Sequence, residues 1–246
     1  MISVADRRHL ILHLDAPLMA FGAPIVDQHG VTGEVPLPSM ITGLLGNALG
    51  YRRTDADLLQ RLQDRLVLAA RGDRPGERLR DFQTAELNAA DRGWTTRGRP
   101  EGRTGAAGTY VGKHIRHRWH QADGRVTIAL RLDPEPEDPT VDDLAAALSS
   151  PARPLFIGRK PCLPAGMLLA GFAVASTTLD ALRIAPAVEG DPIDRNVRVF
   201  WPEGEGETPN SRRLHIQGRR NWRSGVHDGS EVWHEGEISP PVRPSP

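Results

Sequence analysis

Apolar residues along this chain recur with the period of strands in some stretches and of helices in others, separated by proline and glycine. Residues 9–14 alternate weakly and stop at Ala16-Pro17, which predicts a first strand. A loop through Gly22, Pro24, Gly30 and Gly33 follows, closed by Pro36 and Pro38. Ser39 is then placed to cap a helix carrying Met40, Ile41, Leu44, Leu45, Ala48 and Leu49, and Gly50 stands where a C′ glycine ends one. Gly43 and Gly46 weaken that helix, so close approach of a neighbour is the reason expected for them. Thr54 and Asp57 resemble a capping box for a second helix with Leu58, Leu59 and Leu62. Further strands are expected over 66–70, 79–84, 126–132, 155–157 and 167–174, with turns at 73–76 and 133–139. Thr140 and Asp143 predict the cap of a third helix with Leu144, Ala147 and Leu148.

After Asp191 the pattern loosens. Short strands over 197–201 and 213–217 predict a small C-terminal β element, and 239–246 reads as a proline-rich, disordered tail. The order of elements suits an α+β fold: a ferredoxin-like (RRM-like) βαββαβ domain over 1–190 with its helices on one face. The stretch 92–108 has no apolar period and reads as a long loop or exposed hairpin, and 191–238 as a C-terminal β extension.

Composition narrows the chemistry. The 246 residues carry a formal net charge of zero, so any nucleic-acid site must come from local clustering. Arginine supplies nearly all the basic charge, Lys113 and Lys160 being the two lysines. Its planar fork suits phosphates and base edges, although a GC-rich genome would give the same bias. Cys162 is the single cysteine, which rules out an intrachain disulfide and favours a reducing cytoplasm. Residues 1–9 lack the apolar region of a signal peptide, and the longest apolar stretch, 165–175, is too short to span a bilayer. A cytoplasmic protein with no membrane partner is expected.

Five groups of residues carry candidate chemistry. Over 92–120 stand Arg92, Arg97, Arg99, Arg103, Lys113, Arg116 and Arg118, interleaved with Trp94, Tyr110 and Trp119. Positive charge for phosphates with rings for bases is what a single-stranded nucleic acid requires; a solvated loop with idle arginines is the alternative. His114, His117 and His120 would bind zinc only if they converged, which a strand does not allow, so no metal and no cofactor is expected. Lys113 and His114 have the chemistry to cleave RNA, with the imidazole as base and the ammonium on the phosphate, but neighbours on a strand diverge. Gly158-Arg159-Lys160-Pro161-Cys162 reads as a basic turn, structural or RNA-contacting. Arg219, Arg220, Trp222, Arg223 and His227 would suit RNA or a protein partner. Walker, dinucleotide and serine-elbow motifs are absent from the sequence.

Ordered blocks along the chain resemble the CasD family of the RAMP superfamily, the handle-binding subunits of type I-E CRISPR Cascade complexes. They are Leu10-Ile11-Leu12-His13-Leu14-Asp15-Ala16-Pro17-Leu18, Phe21-Gly22, Thr32-Gly33, Pro38-Ser39 and Gly43-Leu44-Leu45-Gly46-Asn47-Ala48-Leu49-Gly50. Arg71-Gly72-Asp73, Leu79-Arg80-Asp81-Phe82-Gln83-Thr84, Asp123 before Thr127-Ile128-Ala129-Leu130, and Pro154-Leu155-Phe156-Ile157-Gly158-Arg159-Lys160-Pro161-Cys162 complete the set. Departures from the family pattern stand at Gln83, His120, Gln121 and Gly124.

The resemblance implies a ferredoxin-like domain with a projecting β-hairpin thumb, here about 86–118. It implies a non-catalytic subunit that caps the 5′ handle of the CRISPR RNA, docks on the Cascade backbone and large subunits, and meets target DNA only through the complex. The RNA-binding set it implies is Ser39, Arg92, Trp94, Arg97, Arg99, Arg103, Tyr110, Lys113, His114, Arg116, Arg118, Arg159 and Lys160. A related subtype uses a similar subunit as its RNA-processing nuclease. A metal-independent endoribonuclease acting through Lys113 and His114 is therefore the alternative.

Overall fold

The computed structural model describes residues 6–23, 28–87, 93–94, 100–101, 112–188, 196–227 and 229–239; at 87, 93–94, 100–101 and 112–114 the description is of the backbone only. The chain is a mixed α+β protein built on antiparallel sheets. Among the described residues its main sheet has seven strands: β1 (Arg7–Asp15), β4 (Leu66–Arg74), β9 (Arg125–Leu132), β10 (Leu169–Ala175), β11 (Val197–Pro202), β12 (Arg212–Ile216) and β13 (Glu231–Ile238). They lie in the order β10-β1-β9-β4-β11-β13-β12, every pair antiparallel. The C-terminal strands extend this sheet, with β11 pairing on β4 through Val199 and Phe200.

One face of the sheet turns Leu10, Leu12, Leu14, Leu68, Ile128 and Leu130 toward α1 (Pro38–Ala48), α2 (Ala56–Arg65) and α3 (Val141–Ser149). The opposite face is also covered. Ile11, Ala69 and Ala129 pack against α4 (Thr178–Ile184) through Leu179 and Leu182, beside Trp201. Helices on one face only was the expectation from the sequence. The small Ala69 and Ala129 leave room on the second face for a short helix, and only the folded sheet shows the space.

Several local expectations hold. Thr140 and Asp143 form a capping box, the Thr140 side chain accepting from the Asp143 amide and the carboxylate accepting from Thr140 N–H. Gly50 adopts φ +84° just beyond α1. A Cβ at Gly46 would lie 2.6 Å from Leu59 Cδ2, so glycine there lets the Leu59 side chain of α2 pack close against α1. Gly43 has a different surrounding, with Trp222 Cη2 at ordinary contact distance.

Other expectations are corrected. Ser39 does not cap α1: Leu37 is the N-cap, Pro38 opens the helix, and the Ser39 amide donates to Gly218 O at 2.9 Å. Thr54 does not cap α2; Asp55 stands at the N-cap and its carboxylate accepts from Arg52 N. Residues 155–157 form no strand. Ile157 instead opens a turn closed by Ile157 N–H on Cys162 O at 2.7 Å and Cys162 N–H on Arg159 O at 2.9 Å. Gly158 has φ +88° there, and a Cβ would fall 1.7 Å from Ala20 O. No other residue fits that turn against β2 (Leu18–Met19) and its continuation. The tail beyond Ser239 lies outside the described residues, and among the described residues no helix is long and apolar enough to cross a membrane.

Candidate nucleic-acid interface

A second sheet stands beside the first. Its frame is a long hairpin of β5 (Glu77–Leu87) and β8 (Gly112–Ala122), paired in register from Glu77↔Ala122 to Leu87↔Gly112. β2 pairs with β8 near its end, and β3 (His29–Gly30) runs parallel to it. Between the hairpin arms, β6 (Gly93–Trp94) pairs with β7 (Pro100–Glu101). Successive strand residues alternate faces, so the hairpin presents two different surfaces.

The first surface is ringed. Phe82, His117 and His29 form a row: His29 and His117 stack at 5.2 Å with 9° between their planes, and Phe82 lies 5.4 Å from His117. Arg80 sits over the Trp119 ring at 5.9 Å. Phe82 is 58% exposed and Ile115 is 40% exposed, so this aromatic face has no cover among the described residues. Of these ring-face residues Trp119 stands out from composition; Phe82, Arg80 and His29 do not. Alternation along 79–84 carried the signal, because Phe82 falls on the polar side of a half-buried strand.

The second surface is charged. Arg116 and Arg118 are exposed here, with Gln83 and Asp81 as their cross-strand partners. Beneath them Arg159 fastens the root of the hairpin. Its guanidinium donates to Trp119 O at 2.7 Å and to Gly30 O at 2.9 Å, and lies 3.4 Å from His120 Nε2. Arg159 thus positions β3 and β8 through their main chain, while Lys160, next in sequence, is exposed. Cys162 is buried, and burial pushes its thiol pKa up, which leaves it unreactive.

His117 and His120 lie on opposite surfaces, one in the ring row and one against Arg159. Trp94, Lys113 and His114 are placed by backbone only. Arg92, Arg97, Arg99, Arg103 and Tyr110 lie outside the described residues. Ser39 and Lys160 meet at a cleft of about 850 Å³ between α1 and the 158–160 turn, which Arg220 and Trp222 also line. The amides of Ser39 and Met40 are already bonded to Gly218 O and Leu37 O, so they do not offer an anion cradle. The cleft's charge comes instead from side chains.

Burial, and the positive charge of Arg159, hold the His120 pKa below its ordinary 6.5, and burial does the same to His9. Both residues bind a proton less readily folded than unfolded. Stability is therefore expected to fall as pH drops below 6.5 and to level off below the folded pKa values. Urea midpoints at pH 7 and pH 5 check this, and His120→Gln should reduce the difference. A midpoint that rises toward pH 5 would refute the assignment.

A family model described as CRISPR-associated protein (Cas_Cas5) matches residues 9–239. The chain belongs to this family. Its curated relatives include the CRISPR system Cascade subunit CasD of Escherichia coli (strain K12), 31% identical over 192 residues, which span 75% of this chain and 80% of that one. A chain of a solved CRISPR RNA-guided surveillance complex superposes with TM-score 0.64 at 22% identity, covering 94% of this chain and 89% of that one. A second, titled as the crystal structure of a Cas protein, gives TM-score 0.58 at 19% identity over 94% and 95% of the two chains. At such identities these two share the fold. In this fold Arg71 and Asp73 form a buried ion pair in β4, and Arg159 anchors the hairpin root.

Proposed function

We propose that this chain is a subunit of a CRISPR RNA-guided Cascade complex, that it holds the 5′ handle of the CRISPR RNA, and that it does not cut that RNA. The observation that carries the reading is the 31% identity to CasD across 80% of that protein's length. The hairpin of β5 and β8 supports it as the thumb, with uncovered rings on one surface and Arg116 and Arg118 on the other. Rings stack on unpaired bases and arginines meet phosphates, so both parts of a single-strand grip are present. In the same reading, β1, α1 with α2, β4, β9, α3 and β10 form a ferredoxin-like βαββαβ unit, its four strands in the order β10-β1-β9-β4. Docking is to the Cascade backbone and large subunits, and contact with target DNA is through the complex.

Two measurements test this. Purified chain incubated with end-labelled repeat RNA in EDTA is expected to leave it intact. Specific cleavage that disappears in Lys113→Ala or His114→Ala would replace the binding role with an endoribonuclease. Co-expression with the other Cascade subunits is expected to yield one particle holding this chain and the CRISPR RNA; a particle that assembles without the chain would sink the proposal.

A further inference from the structure

The arm over 218–227 folds back onto α1 and α2. Buried Gln63 fixes it: its amide donates to Arg220 O at 2.8 Å, and its oxygen accepts from Arg220 N at 3.1 Å and from Trp222 Nε1 at 3.2 Å. Gln60 accepts from Trp222 N at 3.0 Å. The arm's arginines then divide into two kinds. Arg219 pairs with Glu231 and Asp64, and Arg223 pairs with Asp57. Arg220 meets no carboxylate among the described residues, and its Nε is buried without a hydrogen-bond partner there. Its guanidinium lies 5.3 Å from the Trp222 ring.

Arg220 faces a groove. The cleft at Ser39 and Lys160 joins a second of about 460 Å³ on the outer side of α1, the two sharing Gly43, Asn47, Arg53, Phe156, Arg220 and Trp222. Among the described residues, no aspartate or glutamate lines either part. Arg53 is exposed and has no ion pair among the described residues. Burial, and then the positive charge of Arg53, push the Arg220 pKa down, as expected of two cations facing one space with no carboxylate of the described residues between them. Gly43 keeps the floor low beneath Trp222. At its other end the groove reaches Val31 and Arg159 at the root of the hairpin.

We infer that this groove is a second binding site for single-stranded RNA, with Arg53 and Arg220 holding a backbone phosphate and Trp222 stacking an unpaired base. The inference rests on the RNA-binding reading above and extends it to residues outside the thumb. Nucleic acid is favoured over an acidic peptide because an indole face and a glycine floor flank the two cations, which suits a flat base beside its phosphate. The groove's continuity with the hairpin root gives one strand a path to both sites.

The test is anisotropy of fluorescein-labelled single-stranded repeat RNA with the full chain, over a salt series. Arg53→Ala with Arg220→Ala is expected to weaken binding about ten-fold and to lower the salt slope by about 0.7 for each phosphate contact removed. Trp222→Leu is expected to weaken binding by a similar order without changing the slope. Gly43→Ala removes no charge, favours the helix and places its methyl in ordinary contact with the Trp222 ring, so the protein should still melt normally; with the floor raised, it too should bind less tightly. Unchanged affinity in all of these, alongside weaker binding by Phe82→Ala in the hairpin, overturns the groove and leaves the thumb standing. A wild-type chain that binds no RNA overturns both. Poly-glutamate that competes as strongly as unlabelled RNA would assign the groove to an acidic protein segment and overturn the RNA inference.

Discussion

Arg71→Met is expected to lower stability by about 3–5 kcal/mol, because it strands a buried carboxylate. Arg71 is fully buried in β4, and its Nε donates to Asp73 at 2.5 Å. Its terminal nitrogens donate to the carbonyls of Leu182, of Ala185 at 2.8 Å and of Pro186 at 3.2 Å. Asp73 also accepts from the Thr127 hydroxyl at 2.5 Å and from Val188 N at 3.2 Å. One ion pair thus ties the C-terminal end of α4 and the segment after it to the central strands. Removing the cation leaves Asp73 without its compensating charge and frees three carbonyls from their donor. Paired Arg71→Met and Asp73→Leu should recover a large part of the loss, since an apolar pair leaves no unmatched charge. Urea unfolding of the two variants decides the matter. Equal destabilisation in both would mean that packing volume, and not charge, makes the site sensitive.

Removing the rings and the basic charge of the hairpin is expected to have the largest effect on RNA affinity. Phe82→Ala deletes an exposed member of the Phe82–His117–His29 row, and each lost base stack should cost about 1–3 kcal/mol. Arg97→Ala, Arg99→Ala and Arg103→Ala together should flatten the salt dependence by about 2 log units per log unit of salt, if each meets one phosphate of a single strand. Phe82 lies on the hairpin, away from the packed faces of the main sheet, so thermal melting of its variant should match the parent. Handle RNA bound by both sets of variants with parental affinity and slope would remove the hairpin from the interface.

The strands and helices that bury apolar faces were legible from periodicity. β1, β9, α1 and α3 follow it closely, and Thr140 with Asp143 marked the start of α3. β8 was not legible along its length, because the hairpin stands away from the core and both its surfaces carry polar residues. α4 is seven residues long and shows its apolar side only to a face of the sheet made shallow by Ala69 and Ala129. β13 places Glu235, a buried acid, where periodicity expects an apolar residue, and that acid is held there by Arg198 and Arg212 from other strands.

The sequence by itself determined the inventory: arginines and rings concentrated in a neutral chain, with family blocks in order from residue 9 onward. Tertiary structure decided which of those charges remain available. Arg159 and Lys160 are neighbours in sequence, yet the first donates to main-chain carbonyls of β3 and β8 while the second is exposed. Arg219 and Arg223 are matched by Asp64, Glu231 and Asp57, whereas Arg220 between them meets no carboxylate among the described residues. The reason is range. A carboxylate neutralises an arginine only within a few ångströms, and Asp57 reaches Arg223 across 166 positions of chain because the 218–227 arm folds onto α2. A sequence specifies which side chains exist; their partners at that distance exist only once the chain has closed on itself.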